Sequence, residues 1–510
     1  MRSADDVARL TSWHADWAGL RVAVLGLGVT GFSVADTMAE LGAELLVLAD
    51  RADERTADLL DVIGVRLVRE HLEDELGSFG PELVIVSPGF PPTNPLVALA
   101  TNRGIPVWGD VELAWRLRDK NLRAASSGGG SRSPAEWIAV TGTNGKTTTV
   151  QLTTAMLLAA GLRVIACGNV GVPVLDAIRD PLGFDALVVE LSSFQLMYLD
   201  SMSAYSSACL NIADDHLDWH GSSDAYRAAK AKIYERTKVA CVYNLDDDIT
   251  RGMVERAEVV DGCRAIGFGL GVPGPSDIGI VDEIILDRAF LADRFSTATE
   301  LVTVDELEKV GLGSPHMIAN VLAASALARS FAVAPELIRA ALREFRLDHH
   351  RTETVAVARG VRWVNDSKAT NPHAAQASLA SFDPVVWVVG GLLKGVNLNE
   401  LVSANAPRLR GAIIIGVDRQ LLVEAFARHA PTLPVFEVDT TDTKGVMPMV
   451  VRLAAAVARS GDTVLLAPAA ASMDQFTDYA DRGNRFAAAV KSMLKGGADD
   501  YEPPAPSSQG

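Results

Sequence analysis

Short apolar runs without polar alternation recur along this chain. They include Arg21–Leu25, Leu45–Leu48, Leu83–Val86, Trp137–Val140, Leu187–Val189, Val385–Val389, Ala412–Ile415 and Thr463–Leu466. A strand that is apolar at every position is covered on both faces, which predicts parallel sheets. Ala/Leu-rich stretches of helical length separate the runs, among them Phe32–Leu41, Thr149–Ala160 and Pro335–Phe345. This alternation predicts an α/β chain nearly from end to end.

Two seams interrupt the pattern. Residues 123–134 read RAASSGGGSRSP, the composition of a flexible linker. Residues 347–351 (LDHHR) close a helical stretch just before a new strand series. The chain is 510 residues long, about three domains at roughly 150 residues each. The expected domains are 1–122, 135–346 and 347–495, with 123–134 as a linker and 496–510 as a polar, disordered tail.

Composition narrows the functional classes. Hydrophobic residues make up 48% and charged residues 22%, as in a globular protein. The net charge of −17 disfavours nucleic acid and anionic membrane surfaces as partners. Cys167, Cys209, Cys241 and Cys263 are far apart in sequence and form no CxxC pair, so reduced, mostly buried thiols are expected. Met1–Leu20 carries Asp5, Asp6 and Asp16 and no apolar core of a signal peptide. No apolar run reaches the roughly 18 residues of a membrane span. A cytoplasmic location follows as the expectation.

Two glycine loops carry the candidate chemistry. In the first, strand Arg21–Leu25 leads through Gly26, Gly28 and Gly31 into a helix, and the next strand ends at Asp50. Such glycines let backbone approach a phosphate at a helix N-terminus, and the acid stands where a ribose hydroxyl is met. In the second, strand Trp137–Val140 leads into Gly142, Thr143, Asn144, Gly145, Lys146, Thr147 and Thr148, followed by a helix. This has the form of a P-loop, with Lys146 against phosphate charge and the Thr147 hydroxyl toward Mg²⁺. Its Gly-to-Gly spacing is shorter than in GxxxxGK[ST]. The first loop alone would suit a nicotinamide-dependent dehydrogenase, but that enzyme leaves the Lys146 loop without a task.

Ten segments carry a further signal. They are TGTNGKTT (141–148), GNVG (168–171), ELSSFQL (190–196), NIADDH (211–216), YRAAK (226–230), HMIAN (316–320), HR (350–351), NDSKATN (365–371), GGLLK (390–394) and SMDQF (472–476). In order and spacing the chain resembles the Mur ligase family, which includes folylpolyglutamate synthase. ELSSFQL and NDSKATN resemble its D-glutamate-adding branch.

The resemblance implies a Rossmann-like UDP-binding domain, a central P-loop-type ATPase domain with a mainly parallel sheet, and a C-terminal Rossmann-like domain. It implies ATP-dependent joining of D-glutamate to UDP-N-acetylmuramoyl-L-alanine through an acyl phosphate. Nothing in the sequence demands more than a monomer. The catalytic residues it implies are Lys146, Glu190, His216 and Lys230. Thr147, Glu190, His216 and Lys230 would serve two Mg²⁺ ions, with Lys230 carbamylated by CO₂. Asn320, Arg351, Asp366 and Lys368 join the Lys146 loop around ATP. Val29, Thr30, Asp50, Arg51, Ser87, Gly89 and Asn169 would hold the UDP substrate. Thr370, Lys394, Ser472 and Tyr479 would hold D-glutamate. Lys146 and Lys368 fall in different expected domains, which implies closure on binding.

Read without the resemblance, residues 226–232 are a basic helix face, and Glu190 and His216 both stand at strand ends. Met317, Leu393 and Asn397 depart from the family pattern, and residues 267–277 read as an insertion. A folate-type ligase would share the ATP loop without needing a UDP-binding domain. A non-enzymatic scaffold would tolerate loss of Lys146, Glu190, His216 and Lys230.

Overall fold

The computed structural model describes residues 2–124, 132–346, 350, 352–393, 396–440 and 442–495. Most of the expected linker, the whole expected tail, Arg351 and Lys394 lie outside the described residues. The chain forms two compact units that divide between Phe345 and Arg346.

The first unit holds two large sheets. One contains β1 (Arg21–Leu25), β2 (Glu44–Leu48), β3 (Arg66–Val68), β4 (Leu83–Val86) and β5 (Val107–Gly109) in the order β3-β2-β1-β4-β5, all parallel. Side chains of β1 alternate between two cores. Val22 and Val24 pack on one face, Ala23 and Leu25 on the other. That is why the run carries no polar alternation.

A short antiparallel ladder of β6 (Arg123–Ala124) and β7 (Arg132–Ser133) follows. The second sheet comprises β8 (Glu136–Thr141), β9 (Val164–Gly168), β10 (Ala186–Glu190), β11 (Ser206–Cys209), β12 (Ala240–Asn244), β13 (Arg264–Phe268), β14 (Asp277–Val281), β15 (Ile284–Asp287) and β16 (Thr299–Thr303). Its order is β16-β15-β14-β13-β12-β11-β8-β10-β9, with antiparallel pairing only at β14-β15-β16. The 267–277 segment is the link that carries β13 into parallel pairing with β14.

Polar contacts lock these two sheets together. Ser33 Oγ donates to Asp176 Oδ1 at 2.6 Å, and Arg179 Nη1 to Asp36 Oδ2 at 2.6 Å. The backbone N–H groups of Asp200 and Ser201 both donate to Glu112 Oε2 at 2.9 Å. Trp115 meets Trp137 edge-on, with centroids 5.2 Å apart.

The second unit is built on β17 (Glu353–Ala358), β18 (Val361–Asn365), β19 (Val385–Gly390), β20 (Leu409–Ile415), β21 (Val435–Glu437) and β22 (Thr463–Leu466). Its order is β17-β18-β22-β19-β20-β21, and only β17 runs antiparallel. Trp387 and Val389 face one core, Val386 and Val388 the other.

The α/β expectation therefore holds, with antiparallel strands at two sheet edges. Helix starts move earlier than the apolar pattern suggested. The first glycine-loop helix begins at Val29 and takes in Gly31; the second begins at Lys146. In both, the tight turn is finished before the apolar periodicity becomes visible.

Candidate functional site

The second glycine loop leaves β8 at Thr141. Gly142 and Gly145 have φ of 150° and 82°, a region that costs any other L-residue strain. A Cβ on Gly145 would lie 2.3 Å from Asn320 Oδ1, so the Asn320 amide packs directly on the loop. Lys146 Nζ donates to the carbonyls of Gly142 (2.8 Å) and Thr143 (2.9 Å). Asn211, two residues beyond β11, braces the loop: its Oδ1 accepts from Asn144 N at 2.9 Å and its Nδ2 donates to Asn144 O at 3.2 Å. Thr143 Oγ1 lies 2.8 Å from the buried Tyr226 hydroxyl. Thr147 and Thr148 are buried, and Thr148 Oγ1 has no hydrogen-bond partner among the described residues.

Lys230 overturns the reading of residues 226–232 as a basic surface face. It is 2% exposed. Its Nζ donates to Gly142 O at 3.0 Å and to Thr141 Oγ1 at 3.2 Å. The helix Ser223–Ala231 turns Tyr226, Ala229 and Lys230 inward, a 3–4 spacing that charge counting hides. Burial, helped by the nearby Lys146 cation, pulls the Lys230 amine down to about 7. Two lysines thus share the Gly142 carbonyl.

Glu190 ends β10 and is 2% exposed. Asn169 Nδ2 donates to its Oε1 at 2.9 Å, and Oε2 is buried without a hydrogen-bond partner among the described residues. Such an orphaned carboxylate oxygen is costly unless a cation answers it. Among the described residues, no three His, Cys, Asp or Glu side chains cluster as a metal cage. A lone carboxylate beside a phosphate loop nonetheless suits Mg²⁺, which takes one or two protein oxygens and completes its shell with phosphate and water.

His216 is not at a strand end. β11 stops at Cys209, and His216 stands at the N-cap of the helix Leu217–His220 with φ of 53°. Its ring packs edge-on against Phe194, centroids 4.7 Å apart, four residues beyond Glu190. The intervening loop, pinned by Asp247 Oδ2 on Ile212 N at 2.8 Å, displaces it from the sheet.

The first glycine loop is built for close packing. A Cβ on Gly31 would sit 2.1 Å from Gly26 O, and one on Gly26 would meet Phe90 and Ser87. Gly28 has open space instead. A cavity of about 710 Å³ opens at the C-terminal edge of this sheet, lined in part by Asp50, Gly89, Phe90, His71 and Asn94. It brings Asp50 and Gly89 together. Val29, Thr30, Arg51, Ser87 and Asn169 do not line it, and Val29 is 75% exposed. Sequence reasoning missed His71 and Asn94, which follow no recognisable motif.

In the second unit, Asp366 Oδ1 accepts from Thr352 N at 3.2 Å and Ser378 Oγ donates to Asp366 Oδ2. Lys368 Nζ lies 3.8 Å over the ring of Tyr479. Thr370 N donates to Lys368 O at 2.8 Å, and Ser472 is buried. Arg482, which sequence reasoning also passed over, is fully buried beneath these residues.

Three of the four thiols are buried. Cys241 and Cys263, distant in sequence, have sulfurs 3.8 Å apart because β12 and β13 are neighbours.

Three family models match in chain order. "Mur ligase MurD-like, N-terminal domain" covers residues 20–109, "Mur ligase middle domain" 140–328 and "Mur ligase, glutamate ligase domain" 350–470. A UDP-N-acetylmuramoylalanine–D-glutamate ligase of Leifsonia xyli subsp. xyli is 64% identical over 507 residues, spanning 98% of this chain and 97% of the relative. The chain belongs to the Mur ligase family. A Streptomyces coelicolor protein of the same name is 52% identical over 482 residues, 94% of this chain and 99% of that one.

Solved structures of the family share the fold at low identity. The UDP-N-acetylmuramate-alanine ligase of Thermotoga maritima superposes with a TM-score of 0.54 at 18% identity, covering 93% of this chain and 99% of that one. A MurF ligase of the same organism, in complex with ADP, gives 0.53 at 17%, covering 97% and 100%. The expected family and α/β architecture are thus borne out.

Proposed function

We propose that the chain joins D-glutamate to UDP-N-acetylmuramoyl-L-alanine at the expense of ATP, yielding ADP and phosphate, in peptidoglycan precursor synthesis. The observation that carries this reading is the concentration of charge at one sheet edge. Lys146 and Lys230 share the Gly142 carbonyl, and Glu190 holds an unanswered oxygen at the end of β10. Three anionic reactants must meet in this enzyme, and a site of fixed cations and dipoles lowers the cost of bringing them together. High identity to relatives named for this reaction supports the substrate assignment.

In the proposed sequence, a carboxylate oxygen of the L-alanyl group attacks the γ-phosphorus and ADP leaves. The D-glutamate nitrogen then attacks the acyl carbon, the bond from that carbon to the phosphate oxygen breaks with its electron pair leaving on phosphate, and the nitrogen loses a proton. Lys146 neutralises phosphate charge while the N–H groups from Gly142 to Thr148 cradle it. Thr147, Glu190, His216 and a carbamate on Lys230 are the residues proposed to hold two Mg²⁺ ions. Magnesium, when bound, screens the phosphate charge during transfer. A buried amine whose hydrogen-bond acceptors are the neutral oxygens of Gly142 and Thr141 supports the carbamate, because a neutral amine is the form that adds CO₂.

Asn320, Arg351, Asp366 and Lys368 are assigned to ATP. Val29, Thr30, Asp50, Arg51, Ser87, Gly89 and Asn169 are assigned to the UDP substrate, and Thr370, Lys394, Ser472 and Tyr479 to D-glutamate. No helix among the described residues is long and apolar enough to cross a membrane. We place the enzyme in the cytoplasm as a monomer.

Phosphate release tests the reading, with Mg²⁺, ATP, UDP-N-acetylmuramoyl-L-alanine and either D-glutamate, L-glutamate or no amino acid. Release with D-glutamate alone, and a product heavier by one glutamyl unit, is the expected result. Silence with every amino acid, or release that depends on a folate, overturns it.

A further inference from the structure

Arg482 lies on the helix Tyr479–Lys495 with no exposed surface. Its guanidinium reaches the C-terminal ends of three adjacent strands. Nε donates to Ser367 Oγ at 3.0 Å and Nη2 to Ser367 O at 2.9 Å, just beyond β18. Nη1 donates to Ala470 O at 3.1 Å, just beyond β22. The same Nη1 lies 3.3 Å from where a Cβ on Gly391 would stand, just beyond β19. The strands β18, β22 and β19 are neighbours in that order, so one side chain spans the middle of the ligand-binding edge.

Each of those strand ends carries residues assigned above. Asp366, Lys368 and Thr370 flank or follow Ser367, Ser472 follows Ala470 by two residues, and Lys394 follows Gly391 by three in the sequence. The three acceptors of Arg482 are neutral oxygens. A planar fork with fixed donor directions holds several carbonyls in one geometry, which a lysine ammonium does less well. Around it, Ser367 Oγ donates to Tyr479 O at 2.7 Å, and Asn365 Nδ2 donates to Gly483 O at 3.1 Å. The first turn of the helix is therefore stapled to the end of β18 from both sides.

We propose that Arg482 is a positioning residue that sets the ATP-side and amino-acid-side loops of the second unit in register with each other. The inference rests on the ligase reading of the same site. It predicts a loss confined to the two ligands for which this unit supplies assigned residues, with the UDP substrate unaffected because all of its assigned residues belong to the first unit.

The test is steady-state phosphate release by the full chain and its Arg482→Gln and Arg482→Lys variants, varying each of the three substrates. Arg482→Gln is expected to raise KM for D-glutamate and for ATP about tenfold or more, with KM for the UDP substrate within about twofold. Arg482→Lys should fall between it and the parent. Thermal melts establish that the variants are folded, and if Arg482→Gln does not fold, Arg482→Lys carries the comparison. Three KM values rising together, or a folded variant with D-glutamate and ATP values unchanged, overturns the proposal. An unsubstituted enzyme with no D-glutamate-dependent release overturns the ligase reading instead.

Discussion

The two glycine loops look alike on the page, yet the protein treats them differently. Both run from a buried parallel strand through glycines into a helix. The Gly142–Lys146 loop is held by side chains from elsewhere in the unit: Asn211, Tyr226, Lys230 and Asn320 all touch it. The Gly26–Gly31 loop is held mainly by its own backbone, Gly31 against Gly26 O, with Ser87 and Phe90 alongside. Phe90, one of those neighbours, also lines the cavity at this edge of the sheet. Under the proposed function, the clamped loop directs phosphoryl transfer and the other seats a substrate, so the same motif grammar would serve two different mechanical tasks.

Substitutions test this contrast. Lys146→Ala should bring the largest change, a loss of D-glutamate-dependent phosphate release of at least about a hundredfold with melting temperature little altered. Retention of most activity would remove the loop from the chemistry. Next come the clamped glycines. Gly145→Ala forces a Cβ into Asn320 at positive φ, and Gly31→Ala forces one into Gly26 O. Each should cost about 2–3 kcal/mol in denaturant unfolding. If either is silent, that loop is looser than the contacts indicate.

The junction between the two regions offers a pH test. Asp110, at the start of the helix Asp110–Arg116, accepts from Gln195 Nε2 at 3.3 Å, while its Oδ1 is buried without a hydrogen-bond partner among the described residues. Burial pushes its carboxyl up from 3.8 to about 6. The ionised form is thus penalised in the folded state. Stability is unaffected below pH 3.8, falls as pH rises toward about 6, and stays lower above it. Asp110→Asn should therefore stabilise the protein at pH 7.5, by up to about 2–3 kcal/mol, and give no gain at pH 4. Equal effects at both values would break the argument.

Gly28→Ala should do least to stability, within about 0.5 kcal/mol, because its φ of −107° suits any residue and its Cβ direction is open. If that space is where the UDP substrate approaches, KM for that substrate alone should rise several-fold. No rise would assign the space to solvent.

Much of the fold was legible because buried parallel strands announce themselves. Arg21–Leu25, Leu83–Val86 and Thr463–Leu466 coincide with observed strands end to end. Glycine spacing marked both loops for the same reason: only certain backbone conformations permit the turn. Short edge strands such as β3 and β21 were invisible, having three residues each and little burial. Charge alone would make the Lys230 helix a solvated basic face, whereas its Lys230 side is turned inward. Arg482 and Asp110 gave no signal, because a buried polar residue has no characteristic neighbours in sequence.

The sequence by itself determined the alternation of strands and helices, the two turns that require glycine, and the family to which the ordered motifs belong. These depend on local geometry and on residues close together along the chain. Tertiary structure decided which groups became chemical. It buried the Lys230 amine against the Gly142 carbonyl, left Glu190 Oε2 without a partner, and set Arg482 under three strand ends. Each of those states depends on what low-dielectric packing places around a charge. Residues up to a hundred or more positions apart supply that surrounding, and only the folded chain brings them together.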